Sequence, residues 1–269
     1  SVPQAVLARL AAAKGYPLVL LRFCLASYRL KRTIGVEGGF SKTVIATRGI
    51  TAGAGFAALE LLLLLLDLIV LIQERWSPQL LIKLYVDDLT LALRSNPARL
   101  IEMMVTVLNF VVFYLETVLR MEVSRKKSTV VASAPSIAVA IACKVNDRAL
   151  KPVEHAKVLG ADFVGGAKRS TVQFSTRHAT FRCMLPQFLS LRMAGTDVQQ
   201  MARAAGTPMY LYSNECFGLS DSALYAARSS TASAGSNATH GKQLDLVLYV
   251  MDGATGKLDP AFDAHTGPF

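Results

Sequence analysis

The chain has 269 residues, of which 52% are hydrophobic, and a net charge of +10. That apolar content excludes a disordered polar tail and is enough for one large or two small folded domains. The four cysteines, Cys24, Cys143, Cys183 and Cys216, are far apart with no Cys-x-x-Cys pair. This excludes a zinc knuckle, gives no support to a disulfide framework, and reads as a reduced intracellular compartment.

Gln4–Lys14 is a helical run behind Ser1-Val2-Pro3. Pro17 opens a second helix, Leu18–Arg32. Two strands, Thr33–Glu37 and Phe40–Thr47, flank Gly38-Gly39, a two-residue hairpin turn. Arg48-Gly49-Ile50-Thr51-Ala52-Gly53 then leads into a long apolar helix that ends near Gln73. The alternating runs Leu80–Tyr85 and Leu89–Leu93 enclose Asp87-Asp88 and predict a tight β-hairpin with both carboxylates at its tip. Asn96 caps and Pro97 opens the next helix, Ala98–Arg120. Its polar residues Arg99, Glu102, Thr106, Asn109, Glu116 and Arg120 form one stripe, broken only by Phe113, so most of its girth is expected to be buried. Glu122–Ser133 follows, with Arg125-Lys126-Lys127 leading into a strand at Ser128–Val131. Ser175–Asp221 reads as helices and turns, Ser229–Lys242 as a Ser/Ala/Gly/Thr linker, Gln243–Met251 as one more short strand, and Asp252–Phe269 as irregular.

Adjacent aspartates repel each other. A divalent cation such as Mg²⁺ gives such a pair a purpose, because it takes one or two carboxylates together with substrate phosphates. An ordinary exposed turn, where Asp is at home, is the alternative. The charge is uneven as well: Arg120–Arg182 carries a net +8, against +4 before it and −2 after it. A basic region of that kind suits a phosphate backbone, or is simply a solvated face.

The pattern Tyr85-Val86-Asp87-Asp88 between two strands resembles the palm hairpin of reverse transcriptases. Its surroundings resemble the non-LTR retrotransposon type in order. Ser1-Val2-Pro3 with its helix is similar to the stretch behind that family's first catalytic strand. Arg48–Gly53 resembles its Gly-x-Pro-Gln-Gly segment, and His155-Ala156-Lys157-Val158-Leu159-Gly160 resembles its primer-grip turn. The resemblance implies an α+β fold, an antiparallel palm sheet with helices on one face followed by a helical thumb. Partial fingers and palm would occupy residues 1–165 and a thumb-like region 166–228, ahead of the linker at 229–242 and a tail at 243–269 of unassigned role.

The same resemblance implies RNA-templated DNA synthesis onto a primer 3′-hydroxyl, with Mg²⁺ or Mn²⁺ as cofactor. Asp87 and Asp88 would be the metal ligands, and Tyr85 would face the primer end. Gly49 and Gly53 would let backbone approach the template–nucleotide pair. Lys127, with Lys126 as its backup, would neutralise the triphosphate or donate a proton to the leaving group. His155, Lys157, Leu159 and Gly160 would grip the primer. The implied partners are an RNA template, a DNA primer and deoxynucleoside triphosphates, without a membrane and with an endonuclease domain possible elsewhere in a longer protein. The implied setting is a nuclear or cytoplasmic ribonucleoprotein.

The sequence departs from the family pattern in three places. Ala52 replaces a glutamine, Phe56-Ala57 stands near a usual Ser-Pro, and the grip aromatic is replaced around His155–Lys157. The family's first catalytic aspartate would fall upstream of Ser1, so the chain as given is expected to bind duplex without incorporating nucleotides. Two rival readings remain. One is a decayed, non-catalytic nucleic-acid-binding remnant. The other is a membrane protein that uses Phe56–Ile72 as a span; that run includes six consecutive leucines, Leu61–Leu66, but also Glu60 and Asp67, and is at the short limit of length. Gly38–Thr43 lacks the glycines of a phosphate-binding loop, and His155 and His178 stand isolated.

Overall fold

The structure is a computed structural model that describes residues 2–51, 53–146, 150–166, 170–214, 218–236, 243–252 and 258–262. The fold is α+β and divides into two compact units, Ser1–Val130 with Ser136–Pro152, and Val131–Pro135 with Val153–Phe269. In chain order the first unit holds α1 (Gln4–Ala13), α2 (Leu18–Tyr28), β1 (Gly35–Val36), β2 (Gly39–Phe40), α3 (Ala57–Trp76), β3 (Leu80–Tyr85), β4 (Asp88–Leu93), α4 (Pro97–Phe113), β5 (Thr129–Val130), most of α5 (Pro135–Lys144) and β6 (Lys151–Pro152).

Helix α3 organises the core of this unit. Leu61, Leu64, Leu65, Leu68 and Ile72 recur at helical spacing and are buried, whereas Leu59, Leu62, Leu66 and Val70 are exposed on the other side. The buried stripe shares one apolar cluster with Leu7 and Ala11 of α1, Leu80 of β3, and Val107 and Val111 of α4. Each fully buried leucine contributes about 1.5–3 kcal/mol. The leucine run is thus a core helix embedded along one face. The described helix that is long and apolar enough to cross a membrane is instead Pro97–Val118. Only Val107 and Val111 of α4 are buried, so the expectation that most of its girth is covered is not met.

A polar cluster lies inside this apolar packing. Glu60, in the first turn of α3, and Tyr28 of α2 are each 1% exposed, and the Tyr28 hydroxyl donates to Glu60 Oε2 at 2.7 Å. Glu60 Oε1 and the Tyr16 hydroxyl are buried with no hydrogen-bond partner among the described residues. Burial first, then the hydrogen bond to Glu60 and its charge, push the Tyr28 phenol far above its ordinary range.

The first hairpin is shorter than its sequence implies, and its turn is shifted by one residue. The turn residues are Glu37 and Gly38, at φ +47° and +85°, and Gly39 pairs within the ladder opposite Val36. Positive φ at both central positions selects the hairpin turn that matches strand twist, with Gly in the second place. The second hairpin follows its alternation closely. Leu80↔Leu93, Ile82↔Leu91 and Leu84↔Leu89 are cross-strand pairs, and all six of these residues belong to or pack on the core.

The multistranded antiparallel palm sheet expected here is not assembled among the described residues, where each sheet has two strands and the β3–β4 hairpin is one of them. The basic segment does not extend it: β5 is only two residues long and pairs parallel with β6. A turn diverts the backbone before that point. The amides of Lys127 and Ser128 both donate to the Ser124 carbonyl, and so does the Ser128 hydroxyl.

The second unit holds β7 (His155–Val158), β8 (Ala161–Val164), α6 (Val172–Met193), α7 (Val198–Met201), α8 (Thr207–Leu211), α9 (Asp221–Gly235) and α10 (Leu244–Asp252). Its core joins Phe174, Phe181 and Phe188 of α6 with Val198, Tyr210, Ala227, Ala234 and Met251. Two expectations are corrected. Residues 229–235, read as the start of a linker, are the second half of α9, and the remainder of that linker, 237–242, lies outside the described residues. Small side chains permit close approach, and the Ser230 and Ser233 hydroxyls are satisfied by the carbonyls of Ala226 and Ser229. Gln243–Met251, read as a strand, is largely α10. Leu248 and Met251 are buried at helical spacing, and Asp245 pairs with Arg228 of α9.

Candidate functional site

The free end of the β3–β4 hairpin carries the sequence-predicted carboxylates. Tyr85 and Asp88 are the last cross-strand pair, and Val86 and Asp87 form the two-residue turn. Directly opposed residues share a face. Tyr85 and Asp88 therefore stand with Lys83, Thr90, Leu81 and Ala92 on the side away from the core face. Tyr85 is 62% exposed. Both aspartates are exposed, and neither carboxylate is held by a hydrogen bond or ion pair among the described residues. The tip is strained: Val86 has φ +53°. A β-branched residue in left-handed backbone is a true outlier, and such positions cost about 1–3 kcal/mol each.

Two adjacent, unpartnered carboxylates fit a hard divalent cation as part of its oxygen shell. They are not a complete cage, and no group of three or more His, Cys, Asp or Glu is assembled for a metal among the described residues.

The other predicted residues of this unit are placed separately. Gly49, at φ +94°, donates its amide to the Val2 carbonyl at 2.7 Å, and its own carbonyl accepts from Gln4 Nε2. Gly53 has φ +81° and open space where a Cβ would point, so backbone is accessible there. Ala52 lies outside the described residues. Lys126 and Lys127 sit exposed in the turn before β5. The neighbouring Arg125 pairs with Glu116 at 2.9 Å. No hydrogen bond among the described residues joins Gly49, Gly53, Lys126 or Lys127 to the hairpin tip.

His155, Lys157, Leu159 and Gly160 belong to the second unit and lie together on the β7–β8 hairpin. His155 and Lys157 alternate along β7 and are both exposed. The turn is Leu159–Gly160, at φ +50° and +86°. A cleft of about 200 Å³ beside His155 is lined by Ser133, Glu154, Val164, Gly165 and Ser170. His178 is a packing residue. It is buried, stacks on Phe174 and shares a 2.9 Å hydrogen bond with Ser230. Burial, followed by the charge of Arg182, lowers its pKa.

Three residues that support the β7–β8 hairpin were not singled out in the sequence. Asp162 of β8 accepts from the Gln173 amide in the first turn of α6 at 2.9 Å, from well outside the N-cap position, which Thr171 holds, so no local helix-start signal marks it. Arg177 and Tyr212 both bond to the turn, and no spacing rule links positions that far apart in the chain.

Comparison with protein-family models, with curated proteins and with solved structures finds no match in any of the three.

Proposed function

We propose that this chain is a reverse-transcriptase-type nucleotidyl-transfer domain acting on an RNA template and a DNA primer, with deoxynucleoside triphosphates as substrates. The observation that carries the reading is the β3–β4 tip. It presents two unpartnered carboxylates and an exposed tyrosine at and beside a two-residue turn. Positive φ at the first position belongs to the two-residue turn itself, as at Glu37 and Leu159, so the adjacent carboxylates carry the reading.

In this reading Asp87 and Asp88 would hold Mg²⁺ or Mn²⁺, which when bound supplies Lewis-acid stabilisation to the attacking and leaving oxygens of an in-line displacement. The chain's own residues orient the substrates. Tyr85, on the face of Asp88, offers an aromatic surface to the primer end. Gly53 would leave backbone open beside the nucleotide, and Gly49, whose amide and carbonyl are engaged by Val2 and Gln4, would leave room by lacking a side chain. Lys126 and Lys127 supply positive charge toward the triphosphate, and Lys127 is the candidate proton donor to the leaving group. His155 and Lys157 supply contacts to the primer backbone. In this proposal residues 1–165, with the β7–β8 hairpin, would be partial fingers and palm, and 166–228 a thumb-like region.

The test is Mn²⁺ titration of the intact chain, wild type against Asp87→Asn and Asp88→Asn. The proposal expects metal affinity to fall at least tenfold in either variant, about the loss seen when metal-site residues are changed, with the fold retained because the tip is exposed. Equal affinities in all three proteins would return the pair to an ordinary turn.

A further inference from the structure

The β7–β8 turn is fastened from outside the hairpin at three points. Arg177, on the second turn of α6, donates from Nη2 to the Gly160 carbonyl at 2.6 Å and from Nη1 to the Tyr212 carbonyl at 3.0 Å. Its guanidinium lies 5.2 Å from the centre of the Tyr212 ring. The Tyr212 hydroxyl donates in turn to the Leu159 carbonyl at 3.1 Å. The third point is Asp162, held by the amide of Gln173. Both carbonyls of the turn are thus occupied by side chains that hold each other in place.

The turn residue is matched to this clamp. Gly160 has φ +86°, and a Cβ there would meet Arg177 Nη2 and Tyr212 Cε1, each at 3.0 Å. Glycine therefore answers two demands at once, the left-handed backbone and the close approach of the clamp. The two-stranded β7–β8 ladder is marginal by itself, and the clamp ties its turn, and with it His155 and Lys157, to α6 and Tyr212.

We infer that Arg177 and Tyr212 are positioning residues for nucleic acid. They fix the Leu159–Gly160 turn on α6, so that His155 and Lys157 meet a primer's phosphate backbone in one geometry. The role rests on the polymerase reading above. Neither residue touches the nucleic acid in this role. Arg177 gives one N–H from each terminal nitrogen to a carbonyl, and Tyr212 works through its hydroxyl.

The experiment uses the intact chain and four variants: Tyr212→Phe, Arg177→Lys, Arg177→Ala and Lys157→Ala. Amide hydrogen exchange over 158–161 reports the clamp without any ligand. Fluorescence anisotropy with an RNA–DNA duplex, at several salt concentrations, reports its use. Tyr212→Phe removes one hydrogen bond and no charge, and Arg177→Lys keeps the charge but loses the fork and the stacking. Both are expected to speed exchange at the turn about tenfold by freeing local opening. Both should weaken duplex binding about threefold to tenfold, the range of a lost hydrogen bond, with an unchanged salt slope. Lys157→Ala, a direct contact, should instead lower the salt slope by about one.

Unchanged exchange in both conservative variants overturns the clamp. Faster exchange with unchanged affinity, while Lys157→Ala still weakens binding, overturns its positioning role. A salt slope that falls in Arg177→Ala and is restored in Arg177→Lys makes Arg177 a phosphate contact instead. No duplex binding by the wild type overturns the polymerase reading and this role with it, and the exchange result then separates that failure from a missing clamp. Tyr212→Phe carries the test if the arginine variants do not fold.

Discussion

Removing one oxygen atom from Tyr28 tests the packing of the first unit. In Tyr28→Phe the ring stays and the hydroxyl that donates to Glu60 at 2.7 Å is lost. Glu60 is 1% exposed, and its other oxygen already lacks a partner among the described residues. A hydrogen bond to a charged group is worth about 1.5–3 kcal/mol, and a buried acceptor left unsatisfied bears the full cost of its desolvation. Tyr28→Phe is therefore expected to destabilise by about 2–3 kcal/mol, and Glu60→Leu in the Tyr28→Phe background to recover part of that loss. Denaturant titration at neutral pH measures both, read at constant m.

The same pair has an alkaline signature. The Tyr28 phenol is raised from an ordinary value of 10.0. The folded state therefore keeps a proton that the unfolded state releases, so its contribution to stability is full below pH 10 and is lost as pH climbs toward the raised value. Tyr28→Phe should flatten that decline. A cost below about 0.5 kcal/mol, or a double variant that is less stable than the single, would refute the reasoning.

Two further outcomes are expected. His178 is held below its ordinary 6.5, so its contribution is present above that pH and is lost as pH falls through the lowered value; unfolding of the second unit should ease in acid for the wild type and less so for His178→Gln, followed by circular dichroism. Leu68→Ala, in the buried stripe of α3, should cost about 2–5 kcal/mol, whereas Leu62→Ala on the exposed side should fall within about 0.5 kcal/mol of wild type in the same titration.

Local chemistry was readable where it acts over a few residues. The Asn96 cap stands as expected, with its side chain accepting the Arg99 amide at 3.0 Å, and the alternation from Leu80 to Leu93 places the hairpin and its apolar face correctly. What escaped depends on distant partners. The helix at 221–235 is favoured because alanines and serines fit against aromatic α6, so the same composition that suits a linker suits a tight helix contact. Leu244–Asp252 contains an alternating apolar pattern, but its helical face and its ion pair with Arg228 decide the outcome. The candidate site divides in the same way. Asp87 and Asp88 are legible from four letters and their flanks, whereas the carbonyls that Arg177 and Tyr212 choose are set by how α6 and α8 pack.

The β3–β4 hairpin also has a mechanical consequence. Burial falls along it from Leu80 at the root, through half-covered Ile82 and Leu84, to an exposed end. Six residues of strand span about 20 Å, so a tilt of about 3° at the root carries the end through about 1 Å. Core packing of Leu80, Ile82 and Leu84, with Leu89, Leu91 and Leu93 opposite them, sets that tilt along the whole hairpin. Changing a methyl group beside Leu80 would move Asp87 and Asp88 without touching either of them, and the aim of the two carboxylates is thereby a property of the core.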